Sequence, residues 1–106
     1  MVQMSINSEN QGDILTQKDV DIKEPKLFKV LLHNDNYTTM EFVVKVLETV
    51  FHKAPAEATQ IMMNVHRKGV GVCGIYPYDV AESKVAQVHV MAKQNQFPLK
   101  SSMEEV

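Results

Sequence analysis

Leu27-Phe28-Lys29-Val30-Leu31-Leu32-His33-Asn34-Asp35-Asn36-Tyr37-Thr38-Thr39-Met40-Glu41-Phe42-Val43 changes its hydrophobic period partway along. Its first seven residues are rich in strand formers and place Phe28, Val30 and Leu32 on one face, which predicts a strand. Asn34-Asp35-Asn36-Tyr37 ends it, because short Asx side chains hydrogen-bond their own backbone and favour turns. Thr38 through Glu41 then fits a capping box, with the Thr38 hydroxyl accepting from the third amide while Glu41 reaches back. Such a cap contributes about 1 kcal/mol. Beyond it Phe42, Val43, Val46, Leu47, Val50 and Phe51 recur as one broad apolar face of a helix.

Towards the C-terminus the prolines and glycines punctuate the rest. Pro55 suits the first turn of a second helix, where a missing N–H costs nothing. Ala58, Ile61, Met62 and Val65 form its inward stripe and Gly69 ends it. Val70 to Tyr76 reads as a strand, with Gly71 and Gly74 marking a bulge or a close backbone approach. Pro77 fits the first turn of a third helix, with the stripe Val80, Ala81, Val85, Val88 and Ala92. Phe97-Pro98-Leu99 leads into a final edge strand. The order β-α-α-β-α-β describes an α/β chain of the α+β kind: a small three-stranded antiparallel sheet with three helices packed on one face.

Towards the N-terminus the composition shifts. Every aromatic residue lies at Phe28 or later, and residues 1–24 carry five carboxylates against two lysines, a net charge of −3, leaving +1 on residues 25–106. A polar, acidic stretch without aromatics buries too little apolar surface to offset its chain entropy. Residues 1–24 are therefore expected to be a flexible N-terminal extension, either a frayed end or a tether, and residues 25–106 the folded core.

At 106 residues there is room for one domain. Eleven Lys and Arg against 13 Asp and Glu leave no basic stripe for phosphate contacts, so no nucleic-acid partner is expected. No apolar run is long enough to span a membrane, and the N-terminus lacks the basic-then-apolar order of a signal peptide. The single cysteine, Cys73, excludes a disulfide framework and suits a reducing cytoplasm.

Little in the chain points to catalysis. There is neither a Gly-x-x-x-x-Gly-Lys loop nor a Gly-x-Gly-x-x-Gly fingerprint. Ser83 or Cys73 with His66 and Asp35 could be nominated as a triad, but nothing has nucleophile-elbow spacing, and Cys73 between Val72 and Gly74 suits an inert buried thiol. His33, His52, His66 and His89 form no metal-ligand spacing. No catalytic residue, metal or cofactor is expected. The unusual feature is the junction His33 to Thr38, which gathers hydrogen-bond acceptors between a strand and a helix start, where binding loops commonly lie and where a plain turn and cap would look the same.

Asn34-Asp35-Asn36-Tyr37-Thr38-Thr39-Met40-Glu41-Phe42-Val43 resembles the Asn-Asp-Asp-Tyr-Thr-Pro-Met-Glu-Phe-Val segment of the ClpS family, adaptors of the bacterial Clp protease. The likeness continues through Ala58-Thr59-Gln60, Val65-His66, Gly69, Cys73-Gly74, the run from Val80 to Ala86 and Pro98-Leu99, over roughly residues 25–106. It implies a binding module: an adaptor that recognises N-terminal Leu, Phe, Tyr or Trp of N-degron substrates and delivers them to the ClpA unfoldase, which feeds the ClpP peptidase. A regulatory domain that binds a Clp ATPase without reading N-termini is the alternative. The implied partners are N-degron peptides and the N-terminal domain of ClpA or ClpC, and the adaptor is expected to be monomeric.

By matching position, the resemblance implies that Asn34, Asp35, Asn36 and His66 surround the substrate α-amino group. Leu32, Thr38, Met40, Val43, Met62, Val65 and Leu99 are expected to line the pocket for the first side chain. Tyr37, Asp79 and Lys84 are expected to face the unfoldase. Two departures stand out. Asn36 replaces the family's Asp, which removes a carboxylate near the amine and is expected to weaken binding by about 1 kcal/mol. Thr39 replaces Pro at the helix start and is expected to matter little while Thr38 and Glu41 cap.

Overall fold

A computed structural model describes residues 24–106; the expected extension over residues 1–24 lies, but for Glu24, outside the described residues. The elements follow the order β1 (Leu27–His33), α1 (Met40–Thr49), α2 (Pro55–Lys68), β2 (Val70–Pro77), α3 (Tyr78–Gln94) and β3 (Lys100–Glu105). The strands form one antiparallel sheet in the order β2-β1-β3, so the first strand is central and both later ones are edges.

Alternation along β1 decides which face the helices cover. Val30 and Leu32 are fully buried and join a core with Phe42, Val46 and Leu47 of α1, Ala58 and Val65 of α2 and Ala81 and Val88 of α3. Leu31, pointing to the opposite face, is buried apart from that core, opposite Val72 and Ser102. On β3 the buried Ser101 hydroxyl donates to the Leu31 carbonyl (2.8 Å), and its backbone N–H donates to Nε2 of His89 (3.0 Å).

The predicted punctuation holds for α2. Pro55 lies in its first turn, and Gly69 closes it at φ 88°, a left-handed conformation that glycine adopts without steric cost. The strand glycines serve two purposes. The β1–β2 register slips between Val30 opposite Gly74 and Leu31 opposite Val72, leaving Cys73 as the extra residue of a bulge. Gly71 permits a close approach: a Cβ there would lie 2.7 Å from Val65 Cγ2 and 3.3 Å from the Ile61 carbonyl oxygen.

Three local expectations are corrected. The cap of α1 is Thr39, in extended backbone at φ −74°, ψ 153°, whose hydroxyl accepts from the Phe42 amide (3.1 Å); Thr38 is engaged elsewhere. Pro77 is the last residue of β2 and caps α3 rather than lying in its first turn. Val80 is exposed, because Ala81, Val85, Val88 and Ala92, spaced by three and four, already make the stripe facing the sheet, and Val80 falls on its flank.

Candidate functional site

The site grows out of the turn between β1 and α1. At its start the Asn34 amide donates to the Gly69 carbonyl (2.9 Å), which ties the loop to the end of α2. One residue on, Asp35 Oδ1 accepts from the amides of Tyr37 (2.8 Å) and Thr38 (2.7 Å), and Oδ2 accepts from the Thr38 hydroxyl (2.7 Å). Burial raises the Asp35 pKa, but together the Thr38 amide, the Thr38 hydroxyl and the Tyr37 amide outweigh it and hold the carboxyl below its ordinary value. The Thr39 cap then starts α1, so that Met40 and Val43 follow on consecutive turns.

Between this loop, α1 and α2 opens a cavity of about 260 Å³, lined by Asn34, Asp35, Asn36, Thr38, Met40, Val43, Met62, Val65 and His66. Val43, Met62 and Val65 are buried, whereas Met40 is 41% exposed, at the rim. Asn34 and Asn36 of the loop and the exposed His66 in the last turn of α2 are side chains of types able to accept hydrogen bonds. That turn is the negative end of the helix dipole, a favourable setting for a cation. The arrangement thus joins an apolar recess to a cluster of acceptors, a combination suited to a ligand with a greasy group beside a donor-rich, positively charged one.

The structure gathers the expected amine-facing residues Asn34, Asp35, Asn36 and His66 and five of the expected apolar-pocket residues, Thr38, Met40, Val43, Met62 and Val65. Leu32 and Leu99 lie deeper, in the same core cluster as the lining residues Val43, Met62 and Val65. Leu32, on the central strand, is fully buried in the core, Leu99 is buried there with it, and neither is among the residues that line the cavity. Thr38 lines the wall while its hydroxyl donates to Asp35 Oδ2.

Of the expected partner-facing residues, Asp79 and Lys84 share α3, whereas Tyr37 lies apart from them. Tyr37 is 78% exposed and follows the His33 end of β1, whereas Asp79 begins α3 just after Pro77, which pairs with Leu27 at the other end. Lys84 is half-buried: its Nζ donates to the Val50 carbonyl (2.7 Å) and lies 5.8 Å from the centre of the Tyr76 ring. Neither the bond to the Gly69 carbonyl nor the capping role of Thr39, expected above to matter little, is visible in the sequence. Gly69 was visible as a helix stop, but its carbonyl's role depends on a contact across 35 residues.

Among the other candidate reactive groups, Cys73 is buried and His33 and His89 are hydrogen-bonded. Cys73 is 1% exposed, and burial pushes its thiol up to about 12, with Lys53 pulling weakly the other way. His33 Nε2 lies 2.6 Å from the Ser102 hydroxyl, and His89 accepts from Ser101. Among the described residues no three His, Cys, Asp or Glu side chains are grouped to hold a metal ion, and no helix is long and apolar enough to cross a membrane.

Comparison with known proteins gives a consistent result. The family model described as ClpS, ATP-dependent Clp protease adaptor protein ClpS, matches residues 23–102. The ATP-dependent Clp protease adapter protein ClpS of Syntrophus aciditrophicus strain SB is 52% identical over 106 residues, covering 92% of this chain and 99% of its own length. The protein of the same name from Desulfatibacillum aliphaticivorans is 58% identical over 96 residues, covering 91% and 92%. Among solved structures, Agrobacterium tumefaciens ClpS2 bound to L-phenylalaninamide superposes with a TM-score of 0.76 at 38% identity, covering 78% of this chain and all of that one, and it shares the fold.

Proposed function

The chain belongs to the ClpS family, adaptors of the ATP-dependent Clp protease rather than enzymes, and from that premise we propose that its cavity captures the first residue of a polypeptide destined for degradation. The observation that carries this reading is the pairing of acceptors and apolar wall in one cavity. The related ClpS2 is bound to L-phenylalaninamide, whose free α-amino group stands beside a benzyl side chain and suits both halves of such a site.

An α-ammonium group brings three donors and one charge. Asn34, Asn36 and a neutral His66 ring are the proposed acceptors, and each hydrogen bond to a charged group contributes about 1.5–3 kcal/mol. Burying a Leu or Phe side chain against Val43, Met62 and Val65 adds about 1.5–3 kcal/mol. Charged first residues are rejected by desolvation, and acylation of the amine removes its charge and donors together. Met40 at the rim opposes β-branched Ile and Val, leaving Leu, Phe, Tyr and Trp as the proposed first residues. The adaptor is proposed to act in the cytoplasm as a monomer, delivering its cargo to the N-terminal domain of ClpA or ClpC. Of the three partner-facing candidates, Asp79 is exposed at the start of α3, Tyr37 is exposed at the other end of the sheet, and Lys84 is partly engaged within the fold.

The test is a titration of the full chain with short peptides that differ only in the first residue and in acetylation of the amine. Leu- and Phe-initiated peptides should bind, their acetylated and Asp-initiated counterparts should not, and His66→Ala should weaken binding at least tenfold, the scale of one bond to a charged group. Indifference to first residue and acetylation would refute the reading and favour a domain that regulates a Clp ATPase without reading N-termini.

A further inference from the structure

Asp35 is the carboxylate of the cavity wall, and its neighbour Asn36 is neutral. The simple expectation is that this charge faces the substrate amine. Its hydrogen bonds point another way. Oδ1 already accepts from two backbone amides, and Oδ2 accepts from a hydroxyl, all at 2.7–2.8 Å. Those donors belong to Tyr37 and Thr38, the residues that close the turn immediately before the Thr39 cap. On its other side the same turn is pinned by the Asn34 amide on the Gly69 carbonyl. Asn34 and Asn36 are thus carried on a five-residue loop clamped at both ends.

Resting on the reading of the cavity given above, we infer that Asp35 is a positioning residue: it acts through Thr38 and Tyr37 to hold Asn34 and Asn36 against the cavity, and geometry rather than its charge is what the site needs from it. The depressed Asp35 pKa agrees, since its causes that favour the anion are these same three donors. An asparagine at position 35 can reproduce the whole pattern without charge: its Oδ1 accepts from both amides, and its Nδ2 donates to the Thr38 oxygen. An alanine cannot.

The full chain and its Asp35→Asn, Asp35→Ala, Thr38→Val and Thr38→Ser variants are titrated with a Phe-initiated peptide and its acetylated form. Amide hydrogen exchange at Tyr37 and Thr38 is followed without peptide. Asp35→Asn and Thr38→Ser should bind within about threefold of wild type, while Thr38→Val and Asp35→Ala should lose about three- to tenfold, the scale of one or two ordinary hydrogen bonds. Asp35→Asn falling as far as Asp35→Ala, with Thr38→Val binding like wild type, would show that the charge acts directly on the amine and overturn the inference. If the wild type takes both peptides alike, it is the reading of the cavity that fails. Exchange then decides the clamp: amides slow in wild type and Asp35→Asn but fast in Asp35→Ala support it, and equal rates in all three refute it.

Discussion

The Asp35 carboxylate is pulled two ways: partial burial favours its neutral form, while the amide and hydroxyl of Thr38 and the amide of Tyr37 favour the anion, and the anion prevails. A carboxyl whose pKa falls below its ordinary 3.8 on folding contributes stability that is fully present above that value. The contribution is lost as pH falls through the lower, folded pKa. The Thr38 amide resonance, which reports on its bond to Oδ1, should therefore titrate with a midpoint below 3.8, and a midpoint at or above that figure would mean that the loop does not favour the anion. How the two threonines divide their work was not readable in advance. Thr38 and Thr39 are adjacent and either hydroxyl suits a cap, but Asp35 engages the first, and extended backbone at the second directs its oxygen to the Phe42 amide. The loop's wealth of acceptors was legible because Asn and Asp carry them on short side chains, whereas which acceptors remain free is a matter of three-dimensional bonding.

Among the elements, α2 owes its position to what β2 lacks. Gly71 leaves room for the Val65 side chain, and an added methyl would press on Val65 Cγ2 and on the rigid Ile61 carbonyl. Gly71→Ala should destabilise the fold by about 1–3 kcal/mol, the range for overpacking a well-filled interior. Val72→Ala, at a side chain 46% exposed on the open face, is the internal comparison and should cost less than about 0.5 kcal/mol. Equal shifts in urea midpoint for the two would show that close packing of α2 on β2 is not the constraint. Val65 also lines the cavity, so displacement of α2 should be felt there as well. Elements with strong local signals were legible: Pro55 and Gly69 bracket α2, and the α1 stripe is buried through Phe51, although the helix itself ends at Thr49. Periodicity does not place Val80: adjacent apolar pairs such as Phe42 and Val43 are both buried on α1, whereas the buried stripe of α3 is narrow and includes Ala81 but not Val80.

Across the whole molecule, strand order separates what local reading had grouped. Which strand is central depends on non-local pairing, and with β1 in the middle the cavity loop leaves one end of the sheet while α3 starts from the other, roughly 20 Å away at about 3.4 Å per residue. Lys84 bridges three elements in this arrangement. It extends from α3, its ammonium donates to the carbonyl of Val50 at the end of α1, and it stands over the Tyr76 ring of β2. Val50 is buried, so removal of the donor would leave its carbonyl without that bond in a setting where water reaches it poorly. Lys84→Met keeps most of the aliphatic stem and discards the charge, and it should lower stability by about 1–2 kcal/mol, the sum of one hydrogen bond and a weak cation–π contact. Asp79→Asn, on an exposed first turn, should leave stability within about 0.5 kcal/mol of wild type. Urea titration of the two variants decides the matter: a Lys84→Met midpoint equal to that of wild type would mean that the ammonium contributes nothing inside the fold and is available to a partner. If the shift is as expected, lost unfoldase binding in a Lys84 variant would report in part on a loosened junction of α1, β2 and α3. Asp79→Asn would then be the cleaner probe of the proposed docking surface, because it changes charge there without touching the packing beneath.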